Sequence, residues 1–314
     1  MQGLARFAMS GRYRALLLAV ASSGSLLFAW IGAAVVALVM LRKGSREGLW
    51  LVLWASLPAL LVTRVSGDSS ALAMLLGTAV LALVLRASMS LALTAVASAG
   101  VALVTGLGLL AFGQSMLAEL SALFAQFFAA LETQTLEAGG ESLGLQPPTL
   151  PQLAGMMGTA NGALSFLCLA LARYWQAELY NPSGFGSEFR ELQLPKTLVW
   201  ALVLAAVSLS AAGLAFRSWG AAMLLPVTVA GFALLHARAR HRGQGSFWMS
   251  GIYVAWLVFD AAKLGLVGLV LADTMMNFRH RWQGTVPSEA DDDSNTEQEQ
   301  DVGDDDDHQD DTKD

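Results

Sequence analysis

Two charged residues lie inside an apolar block, where a charge is unusual and needs a chemical explanation. Asp260 and Lys263 fall near the middle of the block 247–277. An ionised group at bilayer depth costs about 2.5–3.5 kcal/mol on insertion scales, so each needs the other, water or a ligand. Their i to i+3 spacing predicts an ion pair on one helical face. The alternatives are a hairpin turn at the far interface and a polar cavity for a charged solute or a proton. Nearer the block's end, Asp273 and Asn277 are four residues apart and predict a hydrogen-bonded helix end.

A second set of polar residues lies in the apolar block 152–178. Asn161 and Ser165 are about one helical turn apart there, beside Gly158 and Gly162 in a GxxxG arrangement. Small residues let helices approach closely in lipid, and polar groups then hydrogen-bond between the helices. The pattern therefore predicts a face that packs inside a helical bundle, with a ligand cavity as the alternative.

The segment from Arg173 to Arg190 is unusually rich in polar aromatic residues and turn residues. Trp and Tyr are typical of a membrane interface, and Asn-Pro followed by Gly is typical of a turn. One interpretation is a helix end and turn that dock on the cytoplasmic face; the other is a ligand-binding loop or a surface for a partner protein. The candidate residues are Arg173, Tyr174, Trp175, Gln176, Tyr180, Asn181, Pro182, Gly184, Phe185, Glu188, Phe189 and Arg190.

Motifs of nucleotide-hydrolysing and zinc-dependent sites are absent from the sequence. It contains no GxxxxGK[ST] or HExxH motif, and its four histidines are not spaced as a ligand set. The single cysteine, Cys168, excludes an intramolecular disulfide and a thiolate metal cluster. We therefore expect no enzymatic activity, no catalytic residue, no metal site, no cofactor and no nucleic-acid partner.

The elements that position these residues are membrane helices. Of the 314 residues, 55% are hydrophobic and 14% are charged, and the mean hydropathy is +0.52. This composition excludes an ordinary soluble fold. About 20 apolar residues cross a bilayer as a helix, and apolar blocks occur at about 15–41, 48–63, 69–85, 88–112, 152–178, 197–216, 219–236 and 247–277. The sequence predicts an all-α, polytopic transmembrane bundle over residues 1–282, with about eight membrane blocks and up to ten crossings, in the bacterial inner membrane.

The distribution of Lys and Arg predicts which loops share a side of the membrane, because positive loops stay in the cytoplasm. The cytoplasmic residues predicted in this way are Arg42, Lys43, Arg46, Arg86, Arg190, Lys196, Arg238, Arg240 and Arg242. The first and last blocks are long for one crossing and have positive charge on both flanks. Each is predicted to be a broken helix or a hairpin, the first broken at Ser22–Ser25, with both termini in the cytoplasm. A tilted, overlong helix is the alternative.

Two segments are predicted to lie outside the membrane core. Residues 114–137 have an amphipathic pattern typical of a helix on the outer interface, as a lid over a cavity or as a connector at the headgroups, and residues 138–150 read as a linker. The tail 283–314 has 14 acidic residues and one Lys, which predicts a disordered acidic segment. Its runs of Asp could also attract cations or a basic partner.

Three stretches of the sequence carry a resemblance to a known family. The run ARYWQAELYNPSGFGSEFRELQLP, with AAVVALVMLRKG before it and LADTMMNFRHR after it, resembles the YybS-like family of uncharacterised bacterial multi-pass membrane proteins. The resemblance spans most of residues 1–282. It implies a distant similarity to the membrane-embedded substrate-binding subunits of energy-coupling-factor transporters. At the turn the family typically has Pro-Gly-Gly-Phe, where this chain has Pro182, Ser183, Gly184 and Phe185.

Two functions are compatible with these observations. The first is a membrane subunit that binds a small-molecule solute or takes part in its transport, relying on a separate energising partner protein because the chain has no ATPase motif. In that analogy, the small residues Ala33 and Ala37 would dock a partner membrane subunit. The second is a membrane scaffold or regulator that recruits cytoplasmic partner proteins through its basic loops and the segment Arg173–Arg190. In both, the lipid bilayer surrounds the chain.

Overall fold

The computed structural model describes residues 2–278, which form 13 helices and no strand. The helices are α1 (Gln2–Met9), α2 (Arg12–Ser23), α3 (Ala29–Lys43), α4 (Ser45–Ser66), α5 (Ser70–Ser88), α6 (Leu91–Phe112), α7 (Gln114–Glu137), α8 (Leu150–Tyr180), α9 (Gly184–Glu191), α10 (Lys196–Ala211), α11 (Leu214–His241), α12 (Ser246–Val258) and α13 (Asp260–Met276). The predicted all-α fold class is confirmed. The predicted acidic tail, 283–314, lies outside the described residues.

Helix length and hydropathy confirm a multi-pass membrane protein. Within the described residues, α4, α5, α6, α7, α8 and α11 are long and apolar enough to cross a membrane. Two bent helix pairs, α9 with α10 and α12 with α13, raise the number of candidate spans to eight. Ten crossings would need α2, α3, α12 and α13 to cross singly, and none of these helices reaches about 20 residues.

The closest helix contact joins α6 and α8 along the predicted small-residue face. A Cβ atom at Gly158 would overlap the carbonyl oxygen of Ala102, and one at Gly162 would lie 2.6 Å from the carbonyl oxygen of Ser98. Only glycine allows the two backbones to approach this closely in lipid. The predicted packing role of the GxxxG face is therefore confirmed.

The first apolar block is a hairpin that enters the bundle and returns to the end where it began. At the start of α2, Arg12 Nε lies 3.2 Å from Glu47 Oε2 in the first turn of α4. At the tip, Ser23 Oγ donates a hydrogen bond to the carbonyl oxygen of Ala55, halfway along α4, at 2.8 Å. With 12 and 15 residues, α2 and α3 are too short to span the bilayer. The hairpin is therefore re-entrant, and its tip lies near mid-depth.

The interior of the bundle contains α3. The predicted break at Ser22–Ser25 is confirmed, since α2 ends at Ser23 and α3 begins at Ala29. Every residue of α3 from Gly32 to Met40 is buried. Ala33 and Ala37 are fully enclosed by this chain's own helices. They are not available to dock a partner subunit, because α3 is buried at these positions.

The loops with predicted positive charge meet at one end of the bundle, called here the basic end. Arg86 Nη1 donates to the carbonyl oxygen of Leu41, at 3.1 Å, and so caps the C-terminus of α3. The guanidinium of Arg42 lies 4.1 Å above the ring of Tyr180, which ends α8. These contacts agree with the predicted topology. The other end of the bundle, where α5, α8 and α11 begin, is called the opposite end.

Helix α7 lies outside the bundle at the opposite end. Its buried residue, Leu117, packs with Leu109, Leu153 and Trp219. Ser121 Oγ donates to the carbonyl oxygen of Pro148, at 3.1 Å, so the chain returns to the region where α7 begins. The returning residues 138–149 are irregular backbone, which does not occur exposed to hydrocarbon. Although α7 is long enough to cross, its position fits the predicted interfacial segment.

The last apolar block also folds back. The axes of α12 and α13 are bent by 114° at Phe259. The hydroxyl of Tyr253 in α12 lies 3.3 Å from Nε2 of His236 near the end of α11. Asp273 in α13 lines a cavity with Lys196, where α10 begins. Both arms therefore return to the basic end, in agreement with the predicted hairpin.

Candidate functional site

A mainly apolar cavity with a few polar groups opens at the opposite end, above the tip of the re-entrant hairpin. Its volume is about 280 Å³, and α5, α6, α8 and the hairpin tip contribute to its wall. Ligand pockets commonly measure about 300–1,000 Å³, so this cavity fits a small solute. Its lining includes Leu26, Asp68, Met74, Thr105, Leu109, Met157 and Asn161.

Asn161 provides the main polar group deep in this cavity. Its side chain is 8% exposed. The amide nitrogen Nδ2 donates to Thr105 Oγ1 at 2.9 Å and to the carbonyl oxygen of Ala73 at 3.4 Å. These two bonds use both amide hydrogens, and no donor within residues 2–278 reaches the amide oxygen Oδ1. The cavity therefore contains an oriented acceptor that a ligand can satisfy.

An acidic side chain lies at the cavity mouth. Asp68 is partly exposed in the turn between α4 and α5, and its Oδ1 accepts a hydrogen bond from the backbone nitrogen of Ser70 at 2.8 Å. With the oxygen of Asn161 inside and a carboxylate outside, the cavity favours a solute that carries hydrogen-bond donors or positive charge. Leu26, Met74 and Met157 supply apolar contact.

Ser165, the other polar residue predicted on this face, lies one turn further along α8 and away from the cavity. It is fully buried, and its Oγ has no hydrogen-bond partner among the described residues. Its carbonyl oxygen accepts from Thr78 Oγ1 at 3.4 Å. A Cβ atom at Gly77 would lie 2.5 Å from Ser165 Oγ, so the hydroxyl fills the contact between α5 and α8. Ser165 therefore belongs to the packed layer beneath the cavity.

Part of the predicted segment Arg173–Arg190 lines a second cavity, of about 320 Å³, at the basic end. Arg173 Nη2 and Glu188 Oε2 are 2.7 Å apart, which ties α8 to α9. Arg173 Nη1 also donates to Gln176 Oε1 at 3.1 Å. Arg86 reaches the same cavity from α5. Its polar groups are thus largely engaged with one another.

The aromatic residues of this segment mostly pack within the molecule. Trp175 is fully buried, and its indole nitrogen has no acceptor among the described residues. Phe185 and Phe189 are partly buried with ring centroids 6.0 Å apart, and Phe189 meets the ring of His236 at 5.4 Å. Tyr180 lies under Arg42 on one face but is 46% exposed, and Tyr174 is 43% exposed. This arrangement holds α9 against α8 and α11.

The turn residues of the segment bring the chain from α8 into α9. Asn181 ends α8, Pro182 follows it, and the carbonyl oxygen of Asn181 accepts from the backbone nitrogen of Gly184 at 3.1 Å. Ser183 has a positive φ of 70°. Arg190 lies in the last turn of α9. These residues shape the turn, and the structure does not bring them into either cavity.

The charged residues of the last block lie apart from these two cavities, and Asp273 lines a third one with Lys196. Lys263 Nζ donates to Asp260 Oδ1 at 2.8 Å, so the two form the predicted ion pair, and their side chains are 45% and 88% exposed. They lie at the bend between α12 and α13, as the hairpin interpretation expected. Asp273 Oδ1 accepts from the backbone nitrogen of Phe278 at 3.1 Å. This bond is consistent with the predicted helix end.

Two cavity residues, Thr105 and Asp68, were not singled out from the sequence. Asp68 had a usable signal, since it is an acidic residue in a short outer turn beside Gly67 and two serines. Thr105 had none, because one hydroxyl in an apolar helix is usually satisfied by its own backbone. Within residues 2–278, no three His, Cys, Asp or Glu side chains are grouped as a metal site.

Comparison with known proteins adds no family to these observations. No family model, curated protein or solved structure matches this chain. The fold and the geometry of the two cavities therefore carry the functional argument.

Proposed function

We propose that this chain is a small-solute-binding, transport-associated membrane protein that depends on a separate energising partner. The observation that carries the proposal is the cavity at the opposite end, where Asn161 presents an acceptor without a donor from the described chain. The oxygen faces an open cavity, where either water or a solute can donate to it. A solute with a hydrogen-bond donor replaces that water and also contacts the apolar lining.

The proposed solute is small and neutral or positively charged. A volume of about 280 Å³ limits its size, and Asp68 disfavours an anion at the entrance. The re-entrant hairpin supports the proposal, because Leu26 at its tip forms part of the cavity wall at mid-depth. Irregular backbone at that depth is typically found where it lines a cavity or is enclosed by protein.

The alternative scaffold function has less support. The segment Arg173–Arg190 was its candidate docking surface, and there Arg173, Glu188, Phe189 and Tyr180 contact the chain itself. A partner that used Arg173 or Glu188 would have to break their ion pair, whereas Tyr174 and Tyr180 are 43% and 46% exposed.

Replacing Asn161 tests the proposed solute site. The full chain, purified in mild detergent from its own membranes, is expected to release a small molecule at near-equimolar amount, detected by mass spectrometry after denaturation. Asn161→Leu removes the acceptor and is expected to lower the retained amount about tenfold. Thr159→Val is the matched control on α8, since the Thr159 hydroxyl bonds the carbonyl oxygen of Ser218 at 3.0 Å, away from the cavity. Equal retention by Asn161→Leu, or an empty wild-type protein, would contradict the proposal.

A further inference from the structure

An apolar groove lies between α11, α12 and α13, separate from the other cavities. Its volume is about 230 Å³, and Phe232, Leu235, Ile252, Trp256, Gly265 and Leu269 are among its lining residues. The groove exists because α12 and α13 diverge at Phe259 by 114°, leaving a wedge over the surface of α11. The edge of Trp256 meets the ring of Phe232, with centroids 5.4 Å apart, at one wall.

The surroundings of the groove identify an acyl chain as the apolar occupant. The groove lies between helices of the membrane block and opens towards the outside of the bundle. In a bilayer the molecules present there are lipids, and a hydrocarbon chain matches a lining without polar side chains. Gly265 leaves space within the groove, since nothing lies within 4 Å of a Cβ atom built on it.

Positive charge marks the end of the groove where a lipid headgroup would lie. Leu235 lines the groove, Arg238 follows it by three positions on the same face of α11, and Arg242 caps the end of α11 at the basic end. An acyl chain in the groove therefore places its headgroup beside these side chains. Arginine pairs with phosphate through two parallel hydrogen bonds.

We propose that the groove between α11, α12 and α13 binds one acyl chain of an anionic phospholipid, whose phosphate contacts Arg238 and Arg242. Basic pockets between membrane helices at the cytoplasmic side are recognised headgroup sites. The lipid fills the wedge and holds the α12–α13 hairpin against α11. This site is independent of the proposed solute cavity.

Lipid titration of the wild-type protein tests the proposal without a mutation. Delipidated full-length protein is mixed with dioleoyl phosphatidylglycerol or dioleoyl phosphatidylcholine, and bound lipid is counted by native mass spectrometry. We expect one saturable phosphatidylglycerol, held at least about fivefold more tightly than phosphatidylcholine. Unsaturable binding without a headgroup preference would overturn the proposal. The proposal would also be overturned if two copies of the chain associated through this groove and the dimer bound no lipid.

Two glycine substitutions on α13 separate the groove from general effects on the helix. Gly265→Leu fills the groove and is expected to lower phosphatidylglycerol retention about tenfold, because several buried methylene groups are displaced. Gly268→Leu is the matched control, since its Cβ atom also has open space but Gly268 does not line the groove. Equal retention by the two variants would overturn the proposal.

Arg242→Gln tests the headgroup contact independently of the groove volume. It is expected to leave phosphatidylcholine binding unchanged and to lower the preference for phosphatidylglycerol about fivefold. An unchanged preference would show that the phosphate does not contact Arg242. If Gly265→Leu gives little folded protein, this variant and the wild-type titration decide the question.

Discussion

At the scale of single residues, Ser183 has a side chain at a position where the backbone conformation favours glycine. A φ of 70° lies in the left-handed region, which costs a residue with a side chain about 1 kcal/mol. The turn is nevertheless fixed, because Gly184 bonds back to Asn181, and a Cβ atom at Gly184 would lie 2.5 Å from Asn181 Nδ2. A glycine in place of Ser183 suits this conformation.

The substitution Ser183→Gly is therefore expected to stabilise the protein. Removing the side chain relieves the left-handed strain and should raise the free energy of unfolding by roughly 0.5–1 kcal/mol. Ser187→Gly, inside α9, is the control and should lower it by a similar amount, because glycine is a poor helix former. Thermal unfolding in one detergent, followed by tryptophan fluorescence, compares the two. Destabilisation by both substitutions would contradict a positive φ at Ser183.

At the scale of elements, apolar blocks and breaks were readable from the sequence, whereas the neighbours of each helix were not. The run Ser22–Ser25 predicted the break in the first block because these residues interrupt a membrane helix. The depth of the tip depends on the bond from Ser23 to Ala55, 32 positions away, which no local pattern encodes. Asn161 was recognised as unusual, but its place in a cavity depends on Thr105 and Ala73 of other helices.

The contact between α6 and α8 predicts that alanine substitutions at two glycines change the stability in opposite directions. Gly158→Ala introduces a Cβ atom that overlaps the backbone of α6 at Ala102 and Gly106, and it should cost about 1–3 kcal/mol of stability. Gly100→Ala places its Cβ atom in open space, and it should be neutral or stabilising by up to about 1 kcal/mol. Unfolding midpoints of the two variants in one detergent check the contrast. Equal effects would mean that α6 and α8 do not pack through Gly158.

At the scale of the whole molecule, the cavity at Asn161 and the cavity at Arg173 lie on either side of a packed layer. Helix α8 joins them, since Asn161 faces one and Arg173 the other, 12 residues or about 18 Å further along. Between them, Ser165, Cys168 and α3 are buried. The packed layer therefore separates the two cavities, and the proposed solute at Asn161 has no open path to the basic end in this conformation.

The re-entrant hairpin makes a topological prediction that a single crossing does not share. If α2 and α3 return to the same end, then residues before α2 and after α3 face the same side of the membrane. In a Cys168→Ala background, Ser10→Cys and Ser45→Cys are expected to react with a membrane-impermeant maleimide from one side. Ser142→Cys, in the exposed segment after α7, is expected to react from the other side.

Sealed vesicles of both orientations are compared, and permeabilised vesicles show that each cysteine is reactive. Labelling of positions 10 and 45 from opposite sides would mean that the first block crosses the bilayer. Two positions lie on opposite sides only if the chain between them crosses an odd number of times.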